Sequence, residues 1–304
     1  MRTRPRRPHT LLVTLAAAAC LLAGCGDDPE PAAGETPAAT PSTSPTASAT
    51  PSEEPAQEVS VTAYYVGDTP GGAALYAEPH AQVTPDHVVS LLLVGPADPD
   101  YRTLLPAGSI VPGVSFDGIG AGGSFQVELT DASWSERPAG MSGRQARLAV
   151  QQLVWTLNSV QGGATADPTL RTGAKVSFVL DGEEVSYLGV PSGAQAAPEL
   201  DVLAAVNITA PADGTTVDDT FTATGLASSF EATVPWEVQD ASGAVVLQYS
   251  ATAEGWVERL YPWTAEIDVS ELPAGNYTFV ARTDDPSGGE GGGPTEDTKR
   301  ITVP

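Results

Sequence analysis

Phe230-Glu231-Ala232-Thr233-Val234-Pro235-Trp236-Glu237-Val238 places one tryptophan in the middle of a strand-length run, and that indole decides the distal third of the chain. Runs of strand length recur on both sides of it, at 202–209, 220–226, 232–238, 244–249, 265–269, 277–282 and 298–303. Turn clusters separate them, among them Pro211-Ala212-Asp213-Gly214, Asp240-Ala241-Ser242-Gly243 and Leu272-Pro273-Ala274-Gly275. Short strands at this spacing with turn residues between them predict an all-β sandwich of immunoglobulin type. Trp236 lies in the third run, where such sandwiches bury an indole. Tyr277 opens the sixth run just after Ala274-Gly275-Asn276, the position of a tyrosine corner whose hydroxyl bonds back to the preceding loop. Phe279 takes the place of the second immunoglobulin cysteine, so an apolar ring is expected where a disulfide would stand.

Upstream of a Pro/Ala/Gly linker at 192–200 the pattern changes to mixed α and β. Val59, Val61, Ala63 and Tyr65 alternate with polar and aromatic residues, which is strand periodicity, and 74–77 reads as a short second strand. Thr84-Pro85-Asp86 is a helix start, with a hydroxyl cap, proline at the first helical position and an acid at the positive end of the dipole. That helix is expected to pack Val88, Leu91 and Leu92 and to stop at Gly95-Pro96. Two strands are expected at 109–116 and 124–129, joined through the glycine-rich stretch 118–123 as a hairpin or bulge. After Ser142, Ala146, Ala149, Val150, Leu153, Val154, Leu157 and Val160 recur with a 3.6-residue period and predict a longer helix. A strand at 175–180 leads into the hairpin dipeptide Asp181-Gly182 and then a strand at 185–187. The expected product is an α+β domain over 59–191, two helices on a small sheet, followed by the sandwich over 201–304.

The amino-terminal residues have a different character. Arg2, Arg4, Arg6 and Arg7 precede an apolar run at 11–22, and Leu22-Ala23-Gly24-Cys25 closes it. At about 12 residues the run is too short to span a bilayer and suits a signal peptide. The four closing residues resemble the bacterial lipobox. The resemblance implies removal of 1–24, acylation of Cys25 and residence on the outer face of the cell membrane. Residues 26–58 are almost wholly Pro, Ala, Thr, Ser, Gly and Glu, and are expected to form a disordered tether. As a coil it would reach about 30 Å, and as polyproline helix about 100 Å.

The full chain has a net charge of −24; removing the four signal arginines from its 14 basic residues leaves 10 against 38 acidic ones, or −28. That charge repels nucleic acid and anionic headgroups, so nucleic acid is not expected as a partner. Cys20 leaves with the signal and Cys25 is taken by lipid. No thiol remains for a disulfide or for nucleophilic catalysis.

No catalytic, metal or cofactor constellation stands out. His80 and His87 lack cysteine partners and read as surface or capping residues. Stretch 118–123 lacks the lysine of a phosphate loop. Asp98-Pro99-Asp100 follows a helix stop, where turns recruit aspartate, and the acidic, glycine-rich stretch 284–297 reads as a long loop. Trp256, Tyr261 and Trp263 cluster in sequence. They read either as packing under a loop or as an exposed aromatic patch for a protein or glycan partner.

Two resemblances cover most of the chain beyond the tether. Residues 59–190 resemble the GerMN domain of bacterial sporulation and spore-germination lipoproteins. They do so through Thr62-Ala63-Tyr64-Tyr65-Val66, Val89-Ser90-Leu91-Leu92-Leu93-Val94-Gly95-Pro96, Leu105-Pro106-Ala107-Gly108-Ser109, Gln151-Gln152-Leu153-Val154-Trp155-Thr156-Leu157 and Val179-Leu180-Asp181-Gly182. The distal segment looks like the immunoglobulin-like domain of bacterial spore-germination proteins. Its carrying residues are the stretch quoted first, Pro262-Trp263-Thr264 and Leu272-Pro273-Ala274-Gly275-Asn276-Tyr277-Thr278. Together they imply a non-enzymatic lipoprotein of the cell envelope that presents two interaction modules. The expected partners are the membrane through Cys25 and an envelope protein. The alternative is a glycan or peptidoglycan binder using the distal aromatics, and behind it an enzyme accessory subunit with a site built across the domain interface.

Overall fold

The computed structural model describes residues 59–84, 87–117, 123–162, 173–286, 288, 290 and 292–304. The signal, Cys25, the tether, Pro85-Asp86 and residues 118–122 lie outside the described residues.

The first domain opens with a ribbon of β1 (Val59–Thr69) and β2 (Gly72–Val83), paired antiparallel around a two-residue turn. β2 is far longer than the four residues expected of it. Its alternation is broken by Glu78, Pro79 and His80, yet the pairing with β1 runs on through them. Helix α1 (Val88–Val94) begins later than the Thr84 cap suggested, with His87 at its N-cap, and it buries Val88, Val89 and Leu92. The strand expected at 109–116 is reduced to β3 (Ser115–Asp117), with a lone bridge from Ile110 to Leu129. Pro112 has no N–H to give a ladder, and Gly113 turns the chain at φ +134°.

β4 (Ser124–Glu128) pairs with β3 and runs parallel to a later strand, so the chain must cross over the sheet. The crossover is α2 (Gly143–Gly162). A reciprocal cap fixes its start: Ser142 N donates to Gln145 Oε1 at 2.8 Å, and Gln145 N donates to Ser142 Oγ at 3.2 Å. Its apolar stripe then buries Ala146, Ala149, Val150, Leu153, Val154 and Leu157 against β1 and the sheet. β5 (Lys175–Leu180) returns beside β4. Asp181 at φ 52° and Gly182 at φ 83° make the expected tight turn into β6 (Glu183–Glu184), which is shorter and earlier than the strand anticipated. The sheet order is β3-β4-β5-β6.

Residues 192–200 do not hang between the domains. Ala194 bridges to Val176, and the Gln151 amide donates to Gln195 O at 2.9 Å and accepts from Ala197 N at 2.8 Å. The short helix α3 (Glu199–Val202) then leads into the second domain.

That domain contains β7 (Val206–Ala210), β8 (Thr215–Thr216), β9 (Thr220–Ala227), β10 (Thr233–Gln239), β11 (Val245–Thr252), β12 (Tyr261–Asp268), β13 (Gly275–Arg282) and β14 (Glu296–Val303). They form two facing sheets, β11-β10-β13-β14-β8 and β12-β9-β7. Trp236 is buried on β10 with its ring centre 6.1 Å from that of Phe279, and Phe279 meets Phe221 edge-on at 5.8 Å. Tyr277 Oη donates to Pro273 O at 2.7 Å, which is the tyrosine corner. Rings fill the position where a disulfide would cross the sheets.

Candidate functional site

The aromatic residues singled out in the sequence do not act together. Trp263 is 2 % exposed and sits in the sandwich core on β12, opposite Gly225 of β9. The missing side chain there makes its room: a Cβ on Gly225 would lie 2.7 Å from the indole Nε1. Trp263 therefore cannot belong to an exposed patch, and that expectation is corrected. Tyr261 is half-buried, with the Arg259 guanidinium 4.9 Å above its ring. Trp256 is 41 % exposed and meets the exposed Phe230 edge-on at 5.2 Å, with Val257 beside it at the surface. Cys25 lies outside the described residues.

The strongest constellation lies where the two domains meet, and β14 builds it. Along that strand Asp297, Lys299, Ile301 and Val303 point inward at a two-residue period. Ile301 and Val303 reach the sandwich core, whereas Asp297 and Lys299 reach past its end onto the first domain. Lys299 Nζ donates to Asp98 Oδ2 at 2.6 Å, to Tyr101 Oη at 2.6 Å and to Asp297 Oδ1 at 3.2 Å. Tyr101 Oη donates in turn to Asp297 Oδ1 at 2.6 Å, and Ile208 N donates to Asp297 Oδ2 at 2.6 Å. Tyr76 stacks on Tyr101 with ring centres 5.0 Å apart and donates to Glu296 O at 2.9 Å.

A second row of bonds flanks this cluster. Asn207 accepts from Ala77 N at 2.8 Å and donates to Ala204 O at 3.0 Å. Ala204 N donates to Leu75 O at 2.8 Å, and Leu260 N donates to Glu199 Oε2 at 2.9 Å. Between the two rows Tyr64, Val66, Leu75, Trp155, Leu203 and Leu260 form a third apolar cluster with members from both domains.

The side chains of Lys299, Asp98 and Asp297 are 5 %, 2 % and 1 % exposed. Two carboxylates and one ammonium in so dry a place must share charge. Burial raises Asp297 and Asp98 above the ordinary aspartate range despite the ammonium beside them. Burial alone would lower Lys299, but Asp297 and Asp98 outweigh it and hold its pKa above the usual lysine value. Glu78, at the rim, is also buried, yet contacts from His80 and from the N–H groups of Ala97 and Asp98 bring it below the ordinary glutamate range. Every polar group at the centre is spent on another group of the protein. The cluster joins the domains.

Two small clefts of about 160 and 180 Å³ adjoin it. A larger groove of about 490 Å³ lies elsewhere, between α2 and the strap 190–197, with Arg144, Arg147 and Gln151 on its helical wall. Among the described residues no group of three His, Cys, Asp or Glu side chains is placed to hold a metal ion.

In sequence Asp98 reads as a turn residue and Asp297 as the end of a loop. The signal that marks them lies in β14, where two charged residues occupy the face its alternation assigns to the interior. A buried lysine needs buried carboxylates; Asp297 lies two residues away on the same strand, and the second, Asp98, comes from 201 residues away.

Known proteins bear on this arrangement as follows. The family described as sporulation and spore germination matches residues 51–186. The family described as the immunoglobulin-like domain of bacterial spore germination matches residues 205–290. No curated protein matches the chain. Among solved structures, the tandem GerMN domains of the sporulation protein GerM from Bacillus subtilis align with 16 % identity and a TM-score of 0.30, over 70 % of this chain and 63 % of that one. An engineered protein aligns with 19 % identity and a TM-score of 0.25, over 51 % of this chain and 36 % of that one. The chain thus spans less than two thirds of the length of either, and both scores lie below the level at which whole folds can be equated.

Proposed function

Because the chain carries a sporulation and spore germination domain followed by the immunoglobulin-like domain of bacterial spore germination, we propose that it is a non-catalytic lipoprotein of the cell envelope that presents both domains as one binding unit. Neither matched family is an enzyme family. The observation that carries the reading is the junction. Its ionisable side chains are buried and paired with one another, and chemistry on a substrate needs such groups open to it. A fixed pair of domains favours a partner that touches both, because no interdomain freedom is lost on binding. Lipid attachment rests on Leu22-Ala23-Gly24-Cys25, and Trp256 with Phe230 supplies an exposed aromatic surface on the distal domain.

A single pair of cell fractionations tests both parts. With a photo-reactive residue at Trp256, the anchored protein should sediment with membranes and give a discrete adduct with an envelope protein. Cys25→Ala should move the protein to the soluble fraction. Retention of Cys25→Ala in membranes would overturn the lipid anchor. Adducts no stronger than those from a photo-reactive residue at Thr264 would overturn the binding role of Trp256.

A further inference from the structure

Edge strands expose unpaired backbone N–H and C=O groups, and natural proteins guard them with charge, proline, brevity or cover. The sandwich guards three of its four edges. β12 carries Pro262, Glu266 and Asp268, β8 is two residues long, and β7 lies along β2 of the first domain. The fourth is β11, eight residues at the end of the five-stranded sheet, and among the described residues nothing pairs with its outer side. Its sequence, Val245-Val246-Leu247-Gln248-Tyr249-Ser250-Ala251-Thr252, contains no charge, no proline and no glycine.

Its inner face is covered only in part, with Ala251 buried in the sandwich core, Leu247 packed against it and the strand's middle bare. Tyr249 is paired across the ladder with the buried Trp236, so its ring points to the core side of the sheet, yet it is 76 % exposed. The opposing sheet has three strands against five, and its edge strand β12 reaches β11 without covering Tyr249. Val245 and Val246 are exposed beside it.

We propose that β11 is a pairing edge for β11 of a second copy of this chain, antiparallel about a two-fold axis through Gln248. The free ladder requires an extended strand as occupant. The strand complements itself in that register: Leu247 faces Tyr249 twice, Val246 faces Ser250 and Gln248 faces Gln248. No like charges fall opposite one another, which matters in a chain of net charge −24. The product is one continuous ten-stranded sheet with both Tyr249 rings covered by the partner's Leu247. This pairing does not depend on the envelope role.

Disulfide trapping in the full chain, in intact cells, tests it. Gln248→Cys sets two thiols face to face, with Cβ atoms about 5 Å apart, so that a shift of about 0.5–1 Å brings them to disulfide distance. Under mild oxidation it should yield a reducible homodimer about tenfold above the parent chain. Thr264→Cys, on the guarded β12 edge, should stay at background. Adding Val246→Lys to Gln248→Cys should lower the yield about fivefold, since the charge guards the edge. Val246 and Gln248 are both exposed, so neither change threatens folding. The proposal is overturned if Gln248→Cys dimerises no better than Thr264→Cys, if Val246→Lys leaves the yield unchanged, or if the trapped partner is a different protein.

Discussion

Lys299 shows how far one residue's meaning can lie from its neighbours. It is a buried ammonium with two carboxylates and a phenol around it. Removing one member of a buried ion pair strands the others. Lys299→Met should therefore destabilise the protein by about 3–5 kcal/mol, read as a lower denaturant midpoint. The same residue contributes to an alkaline limit. Lys299 has a folded pKa above its unfolded one, as do the buried hydroxyls of Tyr65, Tyr76 and Tyr101, and burial pushes Tyr187 up to about 12. Groups raised in this way stabilise fully below their unfolded values and lose that contribution as pH rises through the folded ones. The denaturant midpoint should thus fall between about pH 9 and about pH 11.5, and fall less steeply in Lys299→Met. A midpoint that held level over this range would contradict the assigned directions. None of this could be read from the Asp98 turn, because the group that gives that aspartate its role lies 201 positions downstream.

At the scale of elements, sequence and structure agree where a local pattern suffices. The period of α2, the Asp181-Gly182 turn and the strand of Trp236 all follow from residues within one or two turns of chain. They part where a neighbouring element decides. β2 outruns its own alternation because β1 pairs with it from Gly72 to His80 and again at Val83, and β3 is cut short by Pro112 and Gly113 inside an apolar run. Trp263 is the sharpest case. Its own strand, with Pro262 before it and polar residues after it, does not say whether the indole is buried; Gly225 on β9 does. Gly225→Ala would drive a methyl into the indole and into the β7 backbone at Asn207. Overpacking of this kind should cost about 1–3 kcal/mol, measured as a lower urea midpoint with an unchanged slope. A neutral Gly225→Ala would mean that the indole sits more loosely than its burial indicates.

For the whole molecule the junction matters more than either domain. The three apolar clusters adjoin, and the middle one draws on both domains. The described residues belong to one compact unit, with bonds from Tyr76, Ala77, Asp98, Asp100 and Tyr101 reaching into the sandwich. Scanning calorimetry should therefore record one unfolding transition for the parent protein. In Lys299→Met, where the contact between domains is weakened and their separate cores are intact, the peak should broaden or divide. Two peaks in the parent would show the domains to be thermally independent.

The shared ionic cluster also bears on inheritance. Asp98 and Tyr101 belong to one domain, Asp297 and Lys299 to the other, and each half is costly to bury without its complement. Recombination that joined this sandwich to a foreign first domain would leave Lys299 with Asp297 but without Asp98 and Tyr101, and the reverse exchange would leave Asp98 without its ammonium. Two modules that look interchangeable are, in this chain, fitted to each other as a pair.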